Sequence, residues 1–336
     1  MAYLRAFGSW LPPRRVSNRE IAPLVDATPE WILEICGIEE RRYAGEQDTV
    51  ASIGLLAARD CLEKAGATAA ELGMILVASG SSDRFCPGPA SQIAAGLGLA
   101  STPALDIPVA SAGSLIGLAL AAQLAPAAGR VLVVGAEIMS RRISFDPEGK
   151  NTAILFGDGA GAALVDAETG FSRIADSCLF TDGASAEILF VRDGQFHMDG
   201  PAVILQASRK IPSAINELLA RNRIAAGEVE TFLLHQANLN LIVRVAASVK
   251  APRERFFTNI ARFGNTSSAS LLIAADEWHR QQTAALAGPL VFSAFGAGLN
   301  WGALLAVPLK PTVSDRSSWQ IQPGLHDGQE YGRIRA

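Results

Sequence analysis

The sequence predicts an α/β fold with largely parallel sheets, built from two similar halves that share one core. Three observations point there. Strand-like apolar runs alternate with segments of helical period along most of the chain. The second half repeats the order of the first, with a helix at 204–222 leading to an apolar run at 229–235, as a helix at 52–66 leads to one at 72–80. Each half also closes on strand, glycine turn, strand, at 152–165 and again at 289–307. Halves of this kind cannot cover their own sheets and are expected to fuse as a pseudo-dimer.

Taken in order, 52–66 is an amphipathic helix with Leu55, Leu56, Ala58, Cys61, Leu62 and Ala65 at helical spacing. A buried strand at 72–80, a short helix at 92–97 and a strand at 104–110 follow. The strand runs into Ser111 and then an alanine-rich helical segment, after which 130–136 is another buried strand and 146–151 has loop composition. The motif Gly157-Asp158-Gly159-Ala160-Gly161 superficially resembles a phosphate-binding loop. A dinucleotide fingerprint needs its glycines between strand and helix, with an acidic residue about 20 positions later. Here 162–166 continues as a strand, so a tight hairpin is expected.

Composition narrows the function. Of 336 residues, 49% are hydrophobic and 18% charged, which suits a large buried interior and excludes disorder for most of the chain. A net charge of −4 without any Lys/Arg run gives no electrostatic footprint for nucleic acid. Cys36, Cys61, Cys86 and Cys178 fall at no metal or redox spacing and do not cluster with His197, His235, His279 or His326, so no metal and a reduced, cytoplasmic setting are expected. The N-terminus lacks the basic-then-apolar order of a signal peptide. Residues 109–129 are uncharged and long enough to test as a membrane span, but Ser111, Ser114, Gln123, Pro126 and the alanine-glycine content favour a buried central helix. From 310 onward the chain turns polar and aperiodic and reads as a surface extension or a disordered end.

Three polar residues stand at element junctions. Ser111 ends its apolar run and opens a helix, which fits a helix cap and equally a nucleophile seated near free backbone N–H groups. His235 ends its strand in Leu234-His235-Gln236-Ala237-Asn238, and carboxyl ends of parallel strands are where α/β sites assemble. Asn265 lies in a run of small polar residues at 262–270 that opens another helix. Taken singly, His235 also fits a core histidine and Asn265 a cap.

Together with Trp31-Ile32, Gly37-Ile38-Glu39-Glu40-Arg41, Met198-Asp199-Gly200, Gly264-Asn265-Thr266-Ser267 and Trp301-Gly302, these motifs carry a family resemblance. From about Leu4 to Pro308 the chain resembles the β-ketoacyl-acyl-carrier-protein synthase III family of thiolase-like condensing enzymes. The resemblance implies five layers, αβαβα, in two duplicated halves at 1–168 and 169–310, followed by a polar extension at 311–336. It also implies a homodimer whose partner loop closes the acyl pocket, a role for which Phe85 in loop 81–89 is the candidate.

The family uses a Cys/His/Asn triad. His235 and Asn265 match it, and Ser111 stands in place of the cysteine. A helix N-terminus can lower a thiol pKa from about 8.5 into ionisation, whereas a hydroxyl needs a base during attack. His235 is the candidate base, and the N–H groups of Ser111 and Ala297 are the candidate oxyanion hole, with Ala297 where the family usually has glycine. Trp31 matches the aromatic residue that stacks the coenzyme A adenine, and Lys150 falls where an arginine commonly completes that clamp. Ile35 and Asn240 replace arginines used for the cofactor or carrier protein, which makes a carrier-bound acyl donor an alternative to a coenzyme A donor. Asn240 is kept as a candidate substrate contact.

The expected activity is acyl transfer through Ser111, by decarboxylative condensation with a malonyl-acyl-carrier protein in fatty-acid or polyketide-type biosynthesis. Coenzyme A or carrier-protein thioesters are the expected substrates, and no cofactor is permanently bound. Two alternatives are acyl transfer to an alcohol or amine, and a catalytically silent subunit of a heterodimer, which need not retain His235 and Asn265.

Overall fold

The computed structural model describes residues 1–309, and the polar extension expected at 311–336 lies outside them. Ten strands form one sheet in the order Phe256–Phe257, Thr231–Leu234, Leu290–Gly296, Asn300–Pro308, Ser172–Thr181, Tyr3–Trp10, Gly159–Asp166, Arg130–Glu137, Met74–Ala78, Ala104–Ile107. The two middle strands pair in register through Tyr3 with Arg173 and Leu4 with Ser172. Outward from that seam each half makes two antiparallel pairings and then two parallel ones. The halves are repeats, but their sheets are mixed rather than largely parallel. The strand Gly159–Asp166 and the hairpin strand Asn300–Pro308 run against their neighbours.

Helices Gly113–Ala128 and Ser270–Gln281 pack between the two half-sheets. Helices Val50–Ala65 and Pro89–Gly96 cover the outside of the first half, and Gly200–Asn222 with Leu239–Val249 covers the second, which completes five layers. Gly113–Ala128 is apolar on nearly every face because it has a sheet on each side, with Leu115, Leu118, Ala119 and Ala121 all buried. Among the described residues no helix is long and apolar enough to cross a membrane.

The outer helices are ordinary amphipathic ones. Thr49 caps Val50–Ala65 by accepting the Ser52 N–H, and Gly66 ends it in the left-handed region at φ 58°. Its buried face of Ile53, Ala57, Ala58, Cys61 and Leu62 meets the first half-sheet, and each large side chain there contributes roughly 1.5–3 kcal/mol.

The expected hairpin at 152–165 does not form. Lys150–Ala153 is a short helix, Phe156 makes a single bridge to Asn265, and only Gly159–Asp166 is a strand. An apolar run such as Ala153-Ile154-Leu155-Phe156 does not distinguish strand from buried helical turn by its pattern. Here its side chains are divided between two clusters, Ile154 packing with Ile32 and Ile38, and Phe156 with Phe196. Crossing the protein in this way brings Phe156 against Asn265 and closes one wall of the site.

Candidate active site

The site forms where the two halves meet. After strand Ala104–Ile107 the chain turns sharply, and Ser111 adopts φ 67° before helix Gly113–Ala128 begins. The left-handed region strains a residue with a Cβ, and such strain persists where the surroundings enforce it. The enforcement comes from the second half. Ser268 Oγ donates to the Val109 carbonyl at 2.8 Å, Ser114 Oγ donates to the Ser268 carbonyl, and the Ser111 N–H donates to Ser267 Oγ at 3.0 Å. Ser267 is itself left-handed at φ 47°.

Ser267 is held in turn by Glu137, the fully buried last residue of strand Arg130–Glu137. The carboxylate accepts from Ser267 Oγ at 2.9 Å, Ser81 Oγ at 2.5 Å, Ser79 Oγ at 3.2 Å, the Gly80 N–H at 3.0 Å and the Ser268 N–H at 3.2 Å. These donors offset the desolvation of a buried charge.

His235 follows strand Thr231–Leu234, its N–H bonded to the Ser293 carbonyl at 2.9 Å. Its Nδ1 lies 2.5 Å from Ser270 Oγ, and that hydroxyl also accepts the Gln236 N–H at 3.0 Å. In the tautomer in which the Ser270 hydroxyl donates to Nδ1, the ring's own hydrogen sits on Nε2. Burial pushes the imidazole down to about 3, so the ring is neutral. In that tautomer His235 donates a hydrogen bond into the site. Among the described residues no hydrogen bond joins His235 to Ser111, whose hydroxyl lies 3.4 Å from Ser267 Oγ.

Asn265 is fixed by its backbone, which exchanges bonds with Leu155 and Gly157 at 2.9 and 3.0 Å. Its Oδ1 accepts the Ser267 N–H at 2.9 Å, which leaves the Nδ2 end as a donor. Ser111, His235 and Asn265 all line one cavity of about 360 Å³. The rest of its wall is almost wholly apolar, with Phe156, Leu189, Phe196, Met198, Ala207 and Ile211, and Ile35 and Asn151 also line it. The arrangement can seat an apolar chain beside a nucleophile and present two N–H donors to a carbonyl oxygen.

The other expected residues fall out differently. Lys150 does pair with Trp31, its Nζ 4.3 Å from the ring centroid and bonded to the Asp26 carbonyl at 2.7 Å, although neither lines the cavity. Asn240 lies outside the residues that line the cavity. Its Nδ2 donates to the carbonyls of Glu34 and Ile35 at 2.9 and 3.0 Å and so satisfies the end of helix Pro29–Cys36. Phe85 is 97% exposed and does not line this chain's cavity. Both N–H groups of the expected oxyanion pair are engaged internally. The Ser111 N–H is bonded to Ser267 and the Ala297 N–H to the Ala110 carbonyl at 3.2 Å, so an incoming oxyanion has to displace two internal acceptors.

Sequence reasoning missed Ser267, Ser270 and Glu137. Two signals pointed to them: a serine run after Asn265, and a carboxylate closing an otherwise apolar strand.

Comparison with known proteins agrees with this picture. The family model described as 3-oxoacyl-[acyl-carrier-protein (ACP)] synthase III matches residues 105–183, which include Ser111, and the model of its C-terminal part matches 219–307, which include His235 and Asn265. The β-ketoacyl-[acyl-carrier-protein] synthase III of Oleidesulfovibrio alaskensis is 36% identical over 326 residues, covering 90% of this chain and 98% of that protein. The chain belongs to the β-ketoacyl-acyl-carrier-protein synthase III family. The family's solved structures share its fold. That of 3-oxoacyl-[acyl-carrier-protein] synthase III from Aquifex aeolicus VF5 is 31% identical with a TM-score of 0.87, covering 91% of this chain and all of that one. The priming β-ketosynthase from the R1128 polyketide biosynthetic pathway is 30% identical with a TM-score of 0.82, covering 92% of this chain and 96% of that one. The fold is therefore the thiolase-like five-layer one, and the protein is a condensing enzyme of acyltransferase type.

Proposed function

We propose that the protein carries an acyl group as an oxyester on Ser111 and joins it to a malonyl thioester by decarboxylative condensation, in fatty-acid or polyketide-type biosynthesis. The observation that carries this reading is the convergence of Ser111, His235 and Asn265 on one buried apolar cavity. Ser111 Oγ attacks the donor thioester and expels its thiol. The malonyl thioester carbonyl then takes hydrogen bonds from His235 Nε2 and Asn265 Nδ2. Loss of carbon dioxide leaves its electron pair as an enolate, and the two donors stabilise the developing charge most strongly in an apolar, water-poor site. The enolate carbon attacks the Ser111 ester, the C–O bond to Ser111 breaks, and the Ser111 oxygen takes up one proton from solvent water. Retention of both donors favours this reading over a silent subunit.

Donors are acyl-coenzyme A or acyl-acyl-carrier protein, the second substrate is a malonyl-acyl-carrier protein, and no cofactor is permanently bound. Trp31 and Lys150 support a coenzyme handle, while Ile35 and Asn240 supply no cation to phosphate and leave room for the carrier protein. A cytoplasmic homodimer is the assembly we favour, since strand Ala104–Ile107 is a sheet edge with Leu105 54% exposed, and Phe85 projects outward.

The test is intact-protein mass spectrometry after incubation with saturated acyl-coenzyme A thioesters from acetyl to decanoyl, and with the same acyl groups on carrier protein. One acyl adduct is expected, absent from Ser111→Ala and discharged by malonyl-acyl-carrier protein with release of carbon dioxide. No adduct with either donor, or an adduct that survives Ser111→Ala, overturns the reading.

A further inference from the structure

A serine that attacks a carbonyl has to send its proton somewhere, and among the described residues no hydrogen bond joins Ser111 to His235. The His235 Nδ1 is engaged by the Ser270 hydroxyl at 2.5 Å. Among the described residues the hydrogen-bonding neighbour of Ser111 Oγ is Ser267 Oγ, at 3.4 Å. Ser267 is set up as an acceptor on that side. Its oxygen takes the Ser111 N–H at 3.0 Å, and its own proton points away, to Glu137 Oε1 at 2.9 Å. A hydroxyl oxygen accepts twice and donates once, so the remaining lone pair is left for Ser111 Oγ.

Three further facts set this pair apart. Glu137 is wholly buried and is held by hydroxyl and N–H donors, and buried carboxylates are rare enough to need a reason. Ser111 and Ser267 face each other from left-handed backbone at φ 67° and 47°, and strain of this sort concentrates at functional positions. The chain also puts a hydroxyl where a thiol would ionise without help, which creates a need for a proton acceptor.

We propose that Ser267 and Glu137 form the proton relay of Ser111 acylation, Ser267 receiving the proton directly and Glu137 acting through it. The proposal rests on the acyl-serine reading. As Ser111 Oγ bonds to the thioester carbonyl carbon, its proton passes to Ser267 Oγ, and the Ser267 proton passes to Glu137 Oε1. The carbonyl π pair moves onto oxygen. When this tetrahedral adduct collapses, the C–S bond breaks, and the proton returns from Glu137 through Ser267 to the departing thiolate. Thioester and serine become oxyester and thiol, with Glu137 restored to its carboxylate form.

The test measures the rate of acyl-adduct formation with octanoyl-coenzyme A by quenched intact-protein mass spectrometry, in two backgrounds. In the Ser111 enzyme, Ser267→Ala is expected to slow the adduct by about 100-fold, the lower range for a lost proton acceptor. In the Ser111→Cys background the same substitution is expected to slow it only about threefold, because a thiolate needs no acceptor. Equal losses in both backgrounds would mark Ser267 as a structural support and overturn the relay, as would an undiminished rate in Ser267→Ala. If the wild type forms no adduct while Ser111→Cys does, the acyl-serine reading itself fails and takes the relay with it. Near-ultraviolet circular dichroism checks that each variant is folded. Should Ser267→Ala not fold, Glu137→Gln, which keeps the side-chain volume, serves in the same comparison with the same expected asymmetry.

Discussion

Substituting Gly296 tests how closely the second half has to approach the nucleophile. Gly296 ends strand Leu290–Gly296, and a Cβ placed on it would stand 2.1 Å from the Ala110 carbonyl oxygen, 2.5 Å from the Ala112 nitrogen and 3.0 Å from Ser111 Cβ. The first two atoms are backbone, so no rotamer change relieves the clash. Restoring an ordinary contact of 3.4 Å means a displacement of 3.4 − 2.1 = 1.3 Å at the turn or the strand. The Ala110 carbonyl also accepts from Ala112 and Ala297 at 2.8 and 3.2 Å, so the movement strains two hydrogen bonds that fix the turn. Overpacking of this kind costs about 1–3 kcal/mol, and moving a reacting group by about 1 Å costs about 100-fold in rate. Gly296→Ala is therefore expected to lower the melting temperature and to slow acylation of Ser111 by about 100-fold. Single-turnover mass spectrometry and scanning calorimetry read the two effects. Gly183→Ala is the control, because a Cβ there meets nothing within 4 Å. A Gly296→Ala protein that melts and acylates like the wild type would refute the reasoning.

Two more outcomes follow from burial. The His235 pKa is pushed down to about 3 from 6.5, so between those values the unfolded chain binds a proton that the folded chain refuses. Stability should fall as pH drops through that window, by up to about 1.4 kcal/mol per pH unit, and urea melts of His235→Gln should lack the slope. Asp158 has the opposite sign. Burial raises it to about 6 from 3.8, so its contribution is present below 3.8 and lost as pH rises through 6, and Asp158→Asn should remove that loss. An unchanged pH dependence in either variant refutes the corresponding assignment. In the cavity, Ala207 is 1% exposed and lines the wall, so Ala207→Phe should block decanoyl adducts while sparing acetyl ones. Equal acceptance of both chains by the variant would show that the acyl group lies elsewhere.

Much of the fold is written in local pattern. The amphipathic helix Val50–Ala65, the buried helix Gly113–Ala128 and the hairpin of Leu290–Gly296 with Asn300–Pro308 follow from apolar periodicity, caps and glycine turns. The failures are equally local in origin. The run 153–156 is apolar without a period, and its fate depended on having Asn265 rather than a ladder strand as its neighbour. Strand direction was likewise invisible, because mixed and parallel sheets both accept uniformly apolar strands when helices cover both faces.

The sequence by itself determined which residues could do chemistry. Ser111, His235 and Asn265 stand out because polar side chains at junctions of apolar segments are exposed to a site rather than absorbed into a core. Only the tertiary structure decided which groups each one meets. Ser270 meets the His235 Nδ1, Ser267 takes the backbone N–H of Ser111, and Glu137 holds Ser267 from the first half. Hydrogen-bond direction depends on which donors and acceptors meet in space. Ser111 and Ser267 are 156 positions apart, Glu137 and Ser267 130, and His235 and Ser270 35, so no local pattern could record it.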